Sequence, residues 1–206
     1  MGRGAEQTGA SERVDGRRLR REKGRLAVID AMIDLVFDGC APFSAEQVAE
    51  RAGVSQASVF RYFATLDELR YDAIQRYFER YSHLMAIPDI GEHSLSRRIG
   101  NLVEARVSYH EATEPMARLA RRQALEIGEV RETLGRVRST LADQLSQHFA
   151  PELAALRPAA RNERLAVIAA LTSFESWDQL RAHGLDRAEI VRALGQSLDR
   201  LLRTTA

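Results

Sequence analysis

The sequence predicts an all-α fold, on three observations. Apolar residues recur at helical spacings of three and four. Val, Ile and Thr form no alternating, strand-like runs. Gly and Pro fall mostly where such helices would end. With 206 residues, 45% of them apolar, the chain can build one large domain or two small ones around a true core.

Taken in order, residues 1–16 carry four glycines and no hydrophobic period, which reads as a flexible tail. The first helix is expected over 17–38, with Leu26, Ile29, Ile33, Val36 and Phe37 on one stripe. Gly39 suits a left-handed C-terminal residue, and Pro42 follows it. Three capped starts come next. Ser44 and Gln47 form a capping box, with Phe43 and Val48 as a hydrophobic staple. Ser55 caps a second helix, and Thr65 with Glu68 opens a longer third one. That third helix carries Leu66, Leu69, Ala73, Tyr77 and Tyr81, with Ile74 and Phe78 beside them, and stops by Pro88 and Gly91. Beyond residue 92, helices are expected near 94–113, 115–127, 129–149, 159–183 and 186–203, punctuated by Pro115, Gly128, Pro151, Pro158 and Gly184.

The stretch from Phe43 to Leu69, FSAEQVAERAGVSQASVFRYFATLDEL, is the most informative. Two short capped helices are separated by Ala52, Gly53 and Val54, and a turn containing Gly lets helices cross steeply. The small side chain of Ala49 permits close approach of the second helix, and Val48, Ala52, Val54, Val59 and Phe63 can share a miniature core. At 100° per residue, Val59 and Phe63 of that helix point inward with Tyr62 near their edge. Ala57, Ser58, Phe60 and Arg61 point outward. A small residue, a hydroxyl, an aromatic ring and a cation on one face suit a DNA groove. Hydroxyls bond phosphate, and Arg reads guanine with paired hydrogen bonds. Ser55 and Gln56 add helix N-terminal amides for phosphate. Thr65, at the next cap, completes the DNA-facing set.

Net charge is only +1, so bulk charge does not announce a nucleic-acid binder. Locally, Arg17, Arg18, Arg20, Arg21, Lys23 and Arg25 outnumber the single anion Glu22, a net +5 just before the helix-turn-helix. Phosphate neutralisation by such a segment supplies much of a DNA binder's affinity. Arg17 and Arg18 are its leading candidates.

The order Val48-Ala49, Ala52-Gly53-Val54-Ser55, Ser58-Val59-Phe60-Arg61-Tyr62-Phe63, then Asp67-Glu68-Leu69 resembles the signature of the TetR family of bacterial regulators. The motif resemblance covers roughly residues 20–80; beyond 90 only length and helical character are similar. It implies about nine helices, three of them a DNA-binding domain over 17–64. A linker helix would then lead into a ligand-binding and dimerisation domain over 65–206, the last two helices building the dimer. Carried over, Ser44, Ser55, Ser58, Phe60 and Tyr62 occupy DNA-contact positions. Two departures stand out. Arg61 sits where the family often has an aromatic residue, and Leu66 where a Lys commonly begins the linker helix.

In the C-terminal half, 165–174 is apolar around most of a helix, which calls for burial on more than one side. Ile190, Leu194, Leu198, Leu201 and Leu202 form a clean stripe, expected to meet a second copy of the chain. Tyr81, Met85, Tyr109, His110, Met116, Phe174 and Trp177 are the candidates to line a cavity for an apolar or amphipathic effector. His110 and Glu114 share a helix face, but two residues do not make a metal site, and no cofactor is expected. No nucleophile–base motif, phosphate-binding glycine loop or metal signature is present, which points away from an enzyme. A single cysteine, Cys40, fits a reducing cytoplasm, and no stretch has the length of a membrane span. The resulting expectation is a homodimeric repressor released from a pseudo-palindromic operator by a small molecule. The alternative is a DNA-binding architectural protein without effector.

Overall fold

The structure, a computed structural model, describes residues 5–39 and 42–203; Cys40 and residues 1–4 of the expected tail lie outside them. Side chains are described from Arg18 onward, which leaves the Arg17 side chain outside as well. The described residues form ten α-helices, one 3-10 turn and no strand. They are α1 (Ala5–Phe37), α2 (Ala45–Ala52), α3 (Gln56–Tyr62), α4 (Leu66–Arg80), the 3-10 turn (Ser82–Met85), α5 (Leu95–Gln123), α6 (Gly128–His148), α7 (Ala150–Leu153), α8 (Pro158–Leu171), α9 (Phe174–Ala182) and α10 (Arg187–Arg203). Helix α1 thus begins twelve residues before the expected 17, inside the segment read as a tail. That segment lacks a hydrophobic period, but it also lacks proline.

The chain divides between Tyr77 and Phe78 into two compact units. In the N-terminal unit, Val28, Ile29, Met32 and Val36 of α1 form the core with Val48, Val59, Phe63, Leu69, Ile74 and Tyr77. Most of α4 therefore belongs with this unit, whereas the sequence placed a boundary before residue 65. Two ion pairs tie α4 to α1. Arg25 meets Asp72, and Arg76 meets both oxygens of Asp30 at 2.7 and 3.0 Å. Phe37, expected on the buried stripe, is 42% exposed and stacks on Tyr77 at a ring separation of 5.5 Å.

In the C-terminal unit, Leu102, Val103 and Val107 of α5 pack with Leu145, Phe149, Ile168, Phe174 and Trp177. Where the sequence suggested two helices broken at Pro115, α5 runs unbroken through it. A proline inside a helix costs about 3 kcal/mol or more. The buried row Thr113, Met116, Ala117, Leu119 and Ala120 continues across it and offsets that cost. The reverse holds for 159–183, expected as one helix but split into α8 and α9. Ser173 caps α9, its hydroxyl oxygen accepting from the Ser176 amide at 3.2 Å. The expected dimer stripe is also reassigned. Ile190, Leu194, Leu198 and Leu202 are buried inside the subunit's own core, and Leu201 is partly buried against it. The stripe was real, but α5 of the same subunit already covers it.

His148, fully buried, anchors the loop before α5. Its Nε2 donates to the Arg98 carbonyl at 2.8 Å and its Nδ1 accepts from the Gly91 amide at 3.1 Å. Burial holds its basicity below the usual histidine range. No helix among the described residues is long and apolar enough to cross a membrane.

Candidate nucleic-acid interface and interior cavity

Helices α2 and α3 are set by their caps. Ser44 Oγ accepts from the Gln47 amide at 3.2 Å while Gln47 Oε1 accepts from the Ser44 amide at 2.8 Å. Gly53, at φ 66°, closes α2 in the left-handed region, and Val54 donates back to the Ala49 carbonyl at 3.0 Å. Ser55 then caps α3 through the Ser58 amide at 3.2 Å. Thr65 Oγ1 accepts from the Glu68 amide at 3.1 Å. Glu68 reaches back to the Ala64 amide rather than to Thr65, so that box is displaced by one residue.

Around α3 the two faces separate as the helical period requires. Val59 and Phe63 are each 1% exposed, whereas Phe60 is 47% exposed. Gln56, Ala57 and Arg61 are exposed and Ser58 is half-buried. Ser44, Ser55 and Thr65 are exposed at their caps. The Arg61 guanidinium is steadied by Ser58 Oγ at 3.2 Å and lies 5.4 Å from the Tyr62 ring centre. A flat cation and a bare aromatic ring on a rigid helix suit a groove, not a core.

Tyr62 has a second role that the motif did not reveal. Its ring lies against α1 at Gly24, where a Cβ would sit 2.3 Å from the hydroxyl oxygen. Gly24 is thus the socket for a half-buried Tyr62. Glycine to alanine inside a helix ordinarily stabilises by up to about 1 kcal/mol. Here Gly24→Ala is expected to cost about 1 kcal/mol instead, because the ring must swing away. In a Tyr62→Ala background the same change should recover its stabilising sign, measured by urea unfolding of the four variants.

The basic segment divides as well. Arg18, Arg20, Arg21 and Lys23 are exposed on α1. Arg25, further along α1, is paired with Asp72 and lies 4.9 Å from the Phe63 ring centre.

The C-terminal unit holds a partly open cavity of about 460 Å³. Tyr109, His110 and Phe174 line it; Tyr81, Met85, Met116 and Trp177 are not in its wall. Met116 and Trp177 are fully buried in packing, and Trp177 backs the wall, its ring centre 5.8 Å from His110 and 5.4 Å from Phe174. His110 Nε2 lies 3.0 Å from the Thr172 carbonyl, which can only accept, so Nε2 carries the proton. Nδ1 is then a bare acceptor, buried without a partner. Desolvation lowers the histidine to about 4, keeping it neutral near pH 7. Glu114, the residue paired with it in the sequence, instead bonds Arg118 and Arg181, and no metal-binding cluster occurs among the described residues.

Charged residues that sequence reasoning missed also line the cavity: Arg106, Arg121, Arg138 and Glu175. Arg106 is 1% exposed and donates to the Met85 and Leu141 carbonyls at 2.9 and 3.2 Å and to Gln144 Oε1 at 3.0 Å. Glu175 accepts from Arg121 at 3.0 Å and Arg138 at 3.1 Å, and these bonds outweigh its partial burial and hold its carboxyl down at about 2. Long-range pairing of this kind leaves no sequence signal, because the partners lie on α5, α6 and α9.

Residues 37–70 match the family of bacterial regulatory proteins described as the tetR family. No curated protein matches the chain. Among solved structures, a TetR-family transcriptional regulator from Streptomyces coelicolor is 20% identical with a TM-score of 0.71, over 87% of this chain and 80% of that one. The multidrug-binding protein EbrR, solved with imidazole, is 22% identical with a TM-score of 0.62, over 88% of this chain and 96% of its own. EbrR has also been solved with malachite green, at 22% identity and a TM-score of 0.56, over 87% of this chain and 98% of that one.

Proposed function

Because the chain carries the helix-turn-helix of the TetR family of bacterial regulatory proteins on a TetR-like all-helical fold, we propose that it is a homodimeric, ligand-released transcriptional repressor. The observation that carries the DNA-binding part is the outward face of α3, with Phe60 and Arg61 exposed on a helix capped at its start by Ser55. Phe60 and Arg61 meet the groove, and the cap hydroxyls of Ser44, Ser55 and Thr65 meet phosphate. Arg18, Arg20, Arg21 and Lys23 add sequence-independent attraction.

Two copies of the chain would read a pseudo-palindrome, because protein symmetry is copied into the site. Half-sites should repeat at about one helical turn, roughly 10 bp, or a multiple of it. The test is unbiased selection of bound DNA by the purified protein. Selection of asymmetric single half-sites, or of nothing, would overturn the reading. On the selected site, Arg61→Ala should cost about 1–3 kcal/mol and relax preference at one base per half-site, read by competition binding.

An effector is supported by the cavity and by the ligand-bound structures of the similar EbrR. Its size falls within the roughly 300–1,000 Å³ of small-molecule sites. Helix α4, which follows the reading helix in the chain, contributes Phe78 to the cavity wall. A swing from 99:1 to 1:99 needs about 5.5 kcal/mol of differential affinity between the two states. Operator and ligand must weaken each other by the same factor. Equal ligand affinity with and without operator would refute the coupling.

A further inference from the structure

The cavity carries an excess of positive charge that its protein partners leave uncompensated. Glu175 is shared by Arg121 and Arg138, so that group keeps one net positive charge. Arg106 adds another. Its acceptors are two backbone carbonyls and an amide oxygen, none of them a carboxylate. Three of its five N–H groups are engaged in this way. Carbonyl dipoles hold a guanidinium in place but do not cancel its charge. Burial without an anion is strongly unfavourable, and burial lowers Arg106 to about 10, still protonated near pH 7.

The one carboxylate among the wall residues, Glu175, is thus already taken, while the buried Arg106 guanidinium of the same wall bonds no carboxylate. The same wall holds the unpartnered acceptor His110 Nδ1. Around these points the lining is largely apolar, from Phe78, Tyr109 and Leu134 to Phe174. We infer that the effector is an amphipathic organic acid whose anionic head pairs with Arg106 and whose apolar body fills the remaining cavity. A hydroxyl or N–H donor on that body would meet His110 Nδ1. This rests on the effector reading above and narrows its chemical class.

The molecule contains one tryptophan, Trp177, stacked against His110 and Phe174 of the wall. Its fluorescence therefore reports occupancy without DNA. The probes are octanoate, octanamide and octylammonium, which share a body and differ in head charge. Octanoate is expected to bind at least tenfold more tightly than either of the others. Arg106→Met should abolish that preference, bringing octanoate and octanamide within about twofold of each other, with folding checked by circular dichroism. Should that variant fail to fold, the ranking on the unmodified protein decides alone. Equal affinities, a preference for octylammonium, or a preference that survives Arg106→Met would each overturn the anion assignment. The effector reading fails separately, when no compound of a chemically mixed panel releases operator.

Discussion

Leu198→Asp is expected to unfold the C-terminal unit rather than to separate a dimer. Leu198 is fully buried and packs among Ile190, Leu194 and Leu202 in the subunit core. Truncating a buried leucine costs about 2–5 kcal/mol. A carboxylate placed there without a partner adds a further penalty of several kcal/mol. That sum reaches the roughly 5–15 kcal/mol that keeps a typical domain folded. Circular dichroism should show loss of helix at 25 °C, and gel filtration should show aggregation rather than a clean monomer. Val167→Arg is the contrasting variant. Val167 is 45% exposed on α8, beside exposed Ala166 and Ala170, and is the large apolar residue left on the helices assigned to a partner. It should stay folded and shift to monomer in sedimentation velocity. A folded, dimeric Leu198→Asp protein would contradict the burial that places it in the core.

Acid should destabilise the C-terminal unit well above the carboxylate range. His110 titrates at about 4 when folded against an ordinary 6.5, because burial opposes its charge. As pH falls, the unfolded chain therefore takes up the proton first. The contribution of a neutral His110 is whole above pH 6.5 and is lost progressively down to about 4. The interval corresponds to about 3 kcal/mol. His148, also held low by burial, acts with the same sign. Urea midpoints measured from pH 7.5 to 4.5 should fall steeply for the unmodified protein. They should fall markedly less for His110→Gln, although that variant starts from a lower stability at pH 7.5. Parallel curves for the two proteins would show that His110 is not the titrating group.

What the sequence made legible was whatever is local. Caps, glycine turns and three-to-four spacing act within a few residues, so Ser44, Gly53, Ser55 and the two faces of α3 were readable before any coordinates. The miscounted helices share one cause: tertiary packing overrode a local signal. Buried residues on both sides carry α5 through Pro115, and a serine cap divides an apolar stretch that looked continuous. The stripe on α10 was identified correctly, but a stripe says only that it is covered, not by which chain. The cavity was least legible. Met85, Met116 and Trp177 suit an adaptable apolar wall by type but pack outside it, and the wall's charged points are Arg106, Arg121, Arg138 and Glu175, whose type alone suggests a solvated surface.

The break between α8 and α9 has a further consequence. In an unbroken helix the Thr172 carbonyl would accept from the Ser176 amide; here that amide bonds Ser173 Oγ, and the carbonyl is left for His110. The tautomer of His110, and with it the bare nitrogen in the cavity wall, therefore follows from a carbonyl that the break between α8 and α9 leaves unused. Ser173→Ala would remove the cap that ends this break, at a cost of about 1 kcal/mol. The polarity that His110 presents to the cavity thus depends on a neighbouring backbone group as well as on the imidazole itself.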